Sequence, residues 1–476
     1  MSENRMETTC ACVVGGAGLA GMGFLFNALK SGAMNEMAAN GLIVIDASDQ
    51  PGMGTLGHYR ITANSIGDVF IDCLRDPALR DVLKPLEHSA AYWRIKAQAQ
   101  SAPQLSDVGL LMAEASRLVL DHLVNHYGVQ VWSGTVITEV ISADDVFCLR
   151  VESAGVTRWV RSRTLVLNPG GRQVPQHMIA SLARHDLPLS ETMNIQSSDR
   201  LLRMNAVQLR EVFALALASE GRITLVGGSH SAFSMLENLA DALEFAGLQE
   251  LTLIHRSRIR LFYESIEEAQ AAGYEFDPQL DRCPVSGRIN RSGGLRYRSL
   301  NIGREAMLSG NVGKTGVRVR LLQIAGGRGG DHQQARLALA ESSVVVQCSG
   351  YQPLLPVMRD GDGNLISLRE ITGGLDSDPA GCPVDQSGRR LNGLHLFGLG
   401  AGLGVNPQLG SEPAFDGRIY GVWLFHHDAS RAVIEAVLTR LRQKASADVC
   451  ISPGIKNGAP RAPYGRSAND WQVCIE

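Results

Sequence analysis

Three glycines carry the clearest chemistry in the chain: Gly16, Gly18 and Gly21, spaced G-x-G-x-x-G in the stretch VVGGAGLAG. An apolar run over 8–14 predicts a buried strand ahead of them, and a helix from about Leu19 to Lys30 is predicted to follow. In that setting the first glycine makes a tight turn, the second lets a pyrophosphate approach the backbone, and the third lets the helix pack on the strand. The helix N-terminus offers unpaired N–H groups to the phosphates. Asp46 closes the next apolar run, LIVID, 25 residues after Gly21. A carboxylate there accepts from ribose hydroxyls, so the pattern predicts a dinucleotide site.

A second loop of the same kind stands at ITLVGGSHSA, residues 223–232. Gly227 makes the turn, Ser229 takes the place of the second glycine and Ala232 that of the third; Gly227, Ser229 and Ser231 are the positions assigned to the phosphates. A helix over 231–246 and a strand over 250–256 are predicted next. That strand ends in Arg256, followed by Ser257 and Arg258, where the first unit has Asp46. An arginine pairs with a ribose 2′-phosphate, whereas a carboxylate repels it. The two loops together predict a free-ribose adenosine at the first site and NADPH at the second.

The elements that must position these loops read as two βαβ units set far apart. Helical periodicity covers 105–127, 207–219 and 415–443; alternating, strand-like segments lie between 129 and 168, and again at SSVVVQCSGY and GLHLFGLG. Residues 277–317 show no clean period and are rich in Arg and Gly, and the Pro/Gly-rich tail from Ser452 reads as irregular. The 476 residues predict two or three domains. A formal charge of −3, from 45 basic and 48 acidic side chains, argues against a nucleic-acid binder and against a polybasic membrane surface. Neither a signal peptide nor a bilayer-spanning stretch is read, so a cytoplasmic enzyme is expected. The nine cysteines form no C-x-x-C pair. His426, His427 and Asp428 lack a spaced partner for a metal, so none is expected, and they read as surface or interdomain packing on a late helical stretch.

Two dinucleotide loops in one chain of this length resemble the two-dinucleotide-binding-domain flavoproteins. LVLNPGGRQVP (165–175) is similar to the strand and turn that leave the FAD domain in that group, and VVVQCSGYQPLLP (344–356) to the return. Within it the chain resembles class B flavin-dependent monooxygenases, including the flavin-containing monooxygenases and microbial N-hydroxylases. Ser349-Gly350-Tyr351 and Pro356 match the end of an N-hydroxylase signature, while Ser343, Gln347 and Cys348 depart from it. Asn64-Ser65, within GMGTLGHYRITANSIGDVF (52–70), matches an Asn-Ser pair near the flavin in that family, where the Asn steadies the oxygen adduct. Gly400, in LHLFGLGAGLGVNP, stands where the larger group carries an Asp.

The resemblance implies an α/β fold with two Rossmann-like dinucleotide-binding domains, the NADPH domain (173–346) inserted into an FAD domain made of 8–172 and 347–445, with an irregular tail over 446–476. It implies FAD and NADPH as cofactors and a monooxygenase that passes one oxygen atom from a flavin hydroperoxide to a small nucleophile, foremost an amine or amino acid nitrogen, in secondary metabolism. The expected partners are molecular oxygen and a small-molecule substrate. On this reading Asn64 is the catalytic residue, and Gly16, Gly18, Gly21, Asp46, Gly227, Ser229, Ser231, Arg256 and Gly400 bind the cofactors. Asn64 could equally cap a helix over 65–75. A disulfide reductase needs a cysteine pair near the flavin, where only Cys73 stands. An NADPH-independent amine oxidase or dehydrogenase, or a non-catalytic flavin-binding protein, would leave the second loop without a catalytic role.

Overall fold

The computed structural model describes residues 7–443 apart from 73, 144, 220, 327–329, 372–373, 406–407, 422–425 and 427–428. The tail expected over 446–476 lies outside the described residues, as do Cys73, His427 and Asp428.

The first sheet is built from β1 (Glu7–Gly15), β2 (Leu42–Ile45), β3 (Gln130–Trp132), β4 (Val136–Ala143), β5 (Val146–Ser153) and β6 (Val156–Leu167). The chain then leaves to make a second sheet from β7 (Ile195–Ser197), β8 (Arg222–Val226), β9 (Glu250–His255), β10 (Arg318–Gln323) and β11 (Ser342–Gln347). It returns with β12 (Val357–Asp360) and β13 (Leu394–Leu396). The first sheet runs β12-β4-β5-β6-β1-β2-β3, with β13 on β6; the second runs β10-β9-β8-β11-β7. All pairings in the second sheet are parallel. In the first, β4, β5 and β6 form an antiparallel meander. β6 is long enough to serve twice: its first half pairs with β5, and its last three residues with β13.

Alternation assigns the strand residues to two layers. Cys12, Val14, Leu42 and Val44 face the helices, whereas Val13, Ile43 and Ile45 face Leu165, Leu394 and Leu396. Both faces are covered, which is why β1 reads as one apolar run rather than an alternating one. The helix α1 (Leu19–Lys30) is buried from Gly21 to Ala28 and holds no acidic residue. It packs against α2 (Leu105–Tyr127) and residues of α5 (Arg431–Arg442). Burying a side chain such as Phe24 or Phe26, each fully enclosed, contributes about 1.5–3 kcal/mol.

In the second unit α3 (His230–Leu243) follows β8 and is continued by a single turn over Glu244–Ala246. Two expectations fail. The stretch 277–317 contains a 13-residue helix, α4 (Tyr297–Ser309). Its Gly303 breaks the apolar period, yet a Cβ there would come 2.6 Å from Leu295 Cδ1, so the glycine permits close packing. The helix expected over 415–443 does not form over 415–421; His426 is helical and α5 supplies the final part. Ile419 and Leu403 instead exchange backbone hydrogen bonds at 2.9 and 3.2 Å, and the buried Arg418 guanidinium donates to the Leu375 carbonyl. Tertiary partners there satisfy the backbone better than a helical turn around Gly417.

Candidate functional site

The first glycine loop has the backbone its sequence requires. Gly16 has φ 87°, and a Cβ there would lie 2.1 Å from the Asn168 carbonyl oxygen. A Cβ on Gly21 would lie 2.0 Å from the Gly16 oxygen, so helix and turn touch directly. Gly18 is different: its Cβ would meet nothing closer than Gly54 Cα at 3.7 Å. The loop is thus tight underneath and open where a pyrophosphate would approach, and no side chain caps α1. Asp46 is half-buried and already engaged: it accepts from Ala17 N at 2.5 Å and from Ser48 N at 2.8 Å. Burial raises its pKa against the opposing pull of those two N–H groups. Each carboxylate oxygen keeps a lone pair free for a further hydrogen bond, so Asp46 shapes the loop and retains accepting capacity.

Gly400 sits close to that loop through its neighbours. A Cβ on Gly398 would come 3.0 Å from Ala20 Cβ on α1. Gly400 itself has φ 87°, and a Cβ there would lie 2.6 Å from Pro353 N. An aspartate cannot occupy this position, because it would strain the backbone and collide with the returning strand. The departure from the larger group's pattern is therefore built into the packing here.

Asn64 lies in a bend before a short helix over Gly67–Asp72. Its side chain is exposed and has no hydrogen-bond partner among the described residues. It stands three residues ahead of the helix and does not cap it. The neighbouring Ile66 N–H donates to the Tyr297 hydroxyl, which brings the first residue of α4 beside this segment. Tyr297 has φ 49°, a conformation non-glycine residues seldom adopt.

The second loop repeats the first with polar additions. Gly227 has φ 143°, and a Cβ would lie 2.5 Å from the Cys348 oxygen. Ser229 is the N-cap residue of α3, exposed, with its hydroxyl making no cap bond. Ser231 Oγ donates to the Cys348 carbonyl at 3.3 Å. The sequence places Arg256 at the end of the strand and Arg258 just behind it, and the structure gives them different surroundings. Arg258 is held by Asp281 at 3.4 Å, by the Glu275 carbonyl and by the Tyr274 ring. Arg256 is exposed and without a side-chain partner among the described residues. Behind the loop, His230 Nε2 accepts from Arg296 N at 3.0 Å. Burial and the Arg296 charge push this imidazole down to about 4, so it stays a neutral acceptor.

Among the described residues no group of three or more His, Cys, Asp or Glu is arranged to hold a metal. His426 is buried, its ring 4.8 Å from that of Phe26 in an edge contact; it is a core residue, not the surface or interdomain residue expected. Cys10 and Cys12 are buried in β1, and burial raises both thiols, Cys10 to about 11. Sequence reading missed two features. Arg260 is half-buried between Gly293 and Phe415, with no side-chain partner among the described residues. Asp199 gathers Tyr59, Tyr351 and Arg203 about one carboxylate. Only Tyr351 lay in a recognisable pattern.

No family model matches the chain. Its fold is nonetheless shared: an ornithine N-hydroxylase from Kutzneria, solved with reduced FAD, NADP+ and L-ornithine, superposes with a TM-score of 0.51 at 14% identity, over 91% of this chain and 99% of that one. The chain shares the fold of that N-hydroxylase. The ornithine hydroxylase of Pseudomonas aeruginosa has the same fold, with a TM-score of 0.50 at 12% identity, 91% of this chain and 100% of that one being covered. So has an FAD-bound cadaverine monooxygenase from Erwinia amylovora, with a TM-score of 0.50, 12% identity and coverage of 92% and 95%. In sequence, the chain is 29% identical over 443 residues to the CMP-5'-(3-aminopropyl)phosphonate hydroxylase of Streptomyces rubellomurinus, covering 91% of this chain and 99% of that protein. The order seen here, one parallel sheet nested within the strands of another, belongs to this shared fold. Among the described residues no helix is long and apolar enough to cross a membrane.

Proposed function

We propose that the chain is an FAD- and NADPH-dependent N-hydroxylase that converts a primary amine, O₂, NADPH and a proton to the hydroxylamine, NADP+ and water. The contrast between the two loops carries this reading: a carboxylate tied to the first glycine turn, and, at the matching place beside the second, a guanidinium without a side-chain partner among the described residues. Gly16, Gly18, Gly21 and Asp46 hold the FAD adenosine and pyrophosphate. Gly227, Ser229 and Ser231 hold the NADPH pyrophosphate, and Arg256 the 2′-phosphate. Gly400 lets the backbone beside the flavin run close to the returning segment at Gln352 and Pro353. Residues 8–172 and 347–445 form the FAD domain and 173–346 the NADPH domain. FAD supplies the oxygen chemistry; the protein binds, orients and excludes water. The exposed Asn64 amide is a donor for charge that develops beside the flavin.

The relative from Streptomyces is a hydroxylase of CMP-5'-(3-aminopropyl)phosphonate, an amine-bearing, CMP-linked phosphonate. The half-buried Arg260, which makes no ion pair among the described residues although the Glu412 carboxylate also lies beside Gly293, supports the same substrate class here: an amine on an anionic, phosphorus-bearing carrier. The decisive experiment follows NADPH oxidation by the purified flavoprotein with CMP-linked aminoalkylphosphonates and with ornithine, and identifies the hydroxylamine by mass. Protein that takes up no FAD, or bound flavin that NADPH cannot reduce, sinks the reading. Arg260→Ala raises KM for the phosphonate-linked amine if Arg260 grips the carrier, and leaves it unchanged if not.

A further inference from the structure

Two peptide segments join the sheets: 168–175, leaving β6, and 348–356, returning from β11. They touch in a short antiparallel pair, with Gln352 opposite Arg172 and Pro353 opposite Gly171. Leu354 N donates to the Gly170 carbonyl at 3.1 Å. Gln347, buried at the end of β11, donates from Nε2 to the Val174 carbonyl at 3.2 Å. This double strap alone is narrow and would act as a hinge.

Asp199 lies beside the hinge, on the short helix Ser198–Leu201 that follows β7. Its Oδ1 accepts from the hydroxyl of Tyr351, on the return segment, at 3.1 Å. The same oxygen accepts from the hydroxyl of Tyr59, which belongs to the segment after β2 in the first unit. The two hydroxyl oxygens are 3.5 Å apart. Oδ2 accepts from Arg203 Nη2 at 2.7 Å, and the Arg203 guanidinium lies 5.1 Å from the centre of the Tyr59 ring. The Asp199 N–H donates to Gln173 Oε1, on the outgoing segment, at 3.0 Å. Beside it Arg60 N donates to the Leu202 carbonyl at 2.9 Å, so the first unit runs along this short helix. One residue therefore binds both connecting segments and the first unit. Burial and the carboxylate charge raise the pKa of both tyrosines, so both hydroxyls stay protonated donors.

We propose that Asp199 is a positioning residue that fixes the orientation of the second sheet relative to the first. Resting on the function proposed above, it thereby sets the approach of the nicotinamide to the flavin. A carboxylate suits this place because it accepts from three donors at once, two of them on opposite sides of the hinge, and its charge is balanced by Arg203. Asparagine keeps the shape but offers one acceptor oxygen and no charge. Hydride transfer is sensitive to small displacements of the reacting atoms, so loosening the hinge slows reduction without emptying either nucleotide site.

The test compares the holoenzyme with Asp199→Asn, Asp199→Ala, Tyr59→Phe and Tyr351→Phe. At saturating NADPH the rate of flavin reduction should fall about tenfold or more in Asp199→Asn, with the dissociation constants of FAD and NADPH within about twofold of the parent. The kinetic isotope effect with 4-deuterated NADPH should rise. Hydrogen exchange, which needs no turnover, should quicken at backbone amides of 168–175 and 347–354 in Asp199→Asn and Tyr351→Phe while the melting temperature holds. Unchanged reduction, or slower reduction matched by lost FAD, overturns the proposal; so does unchanged exchange at both segments. If Asp199→Ala fails to fold, the two tyrosine variants give the same readings. If NADPH does not reduce the parent flavin, the proposed function falls and the exchange result alone decides whether Asp199 holds the hinge.

Discussion

Asp46 Oδ2 and Ala17 N stand 2.5 Å apart, so the residue proposed to face the ribose also fastens the glycine turn proposed to face the pyrophosphate. Removing the carboxylate strikes both contacts. Asp46→Ala should weaken FAD binding at least tenfold, and the loss of its buried N–H partner should cost about 1–3 kcal/mol of stability. Asp46→Asn, which keeps one acceptor oxygen, should fall between. Fluorescence titration with FAD and denaturant melts measure the two effects; an alanine variant that binds FAD normally removes Asp46 from the site.

Restoring the aspartate of the larger group at Gly400 should harm the protein. Gly400→Asp places a side chain at φ 87° and within 2.6 Å of Pro353 N. Strain of this kind costs about 1–3 kcal/mol before the clash is counted. The expected outcome is a lower melting temperature and less bound flavin. A variant as stable as the parent, with tighter flavin, would falsify the packing account.

Arg256→Ala should raise the dissociation constant of NADPH by about tenfold or more, the worth of one charge-assisted phosphate contact, and leave NADH nearly unaffected. Arg258→Ala should not show this selectivity, since Asp281 already holds Arg258. Reduction kinetics with the two nucleotides decide; equal losses for both remove the 2′-phosphate role.

The exposed amide of Asn64 predicts a different defect. Asn64→Ala should leave flavin reduction near the parent rate while more of the oxygen consumed appears as hydrogen peroxide rather than hydroxylated amine. Because Asn64 caps no helix here, its melting temperature should change little. Coupling equal to that of the parent removes Asn64 from the oxygen chemistry.

His230 ties the second loop to the segment before α4 only while neutral. Its pKa is pushed down to about 4 by burial and the Arg296 charge, against about 6.5 in an unfolded chain. Between these values the unfolded state binds more protons, so stability falls as pH drops from about 6.5 towards 4 and the loss levels off below it. His230→Gln keeps an acceptor without a titrating group, so its melting temperature should be flatter across that window. Parallel curves for the two proteins would show that another group controls the slope.

Much of the site is local and could be read from sequence. A turn that needs a positive φ selects glycine within a few residues, and Gly16, Gly227 and the charge at the end of each following strand fall at fixed offsets from it. What those offsets leave open is which charge is free. Arg256 and Arg258 are equivalent as letters; only the distant Asp281 and Glu275 take Arg258 out of play. Likewise the sequence leaves Asn64 open as a cap or as a donor, and the start of the helix at Gly67 removes the cap.

The sequence by itself determined the two strand–glycine–helix units and their opposite charges, because each depends on periodicity and backbone sterics over short spans; the nested α/β order came from the family resemblance. Only the tertiary structure decided that α4 is helical around Gly303, that 415–421 is not, that Gly400 has no room for an aspartate, and that Asp199 draws Tyr59 and Tyr351 together. Asp199 lies 140 residues from Tyr59 and 152 from Tyr351. A hydrogen bond across such distances leaves no periodic trace in the chain, and its existence rests on how the two sheets pack.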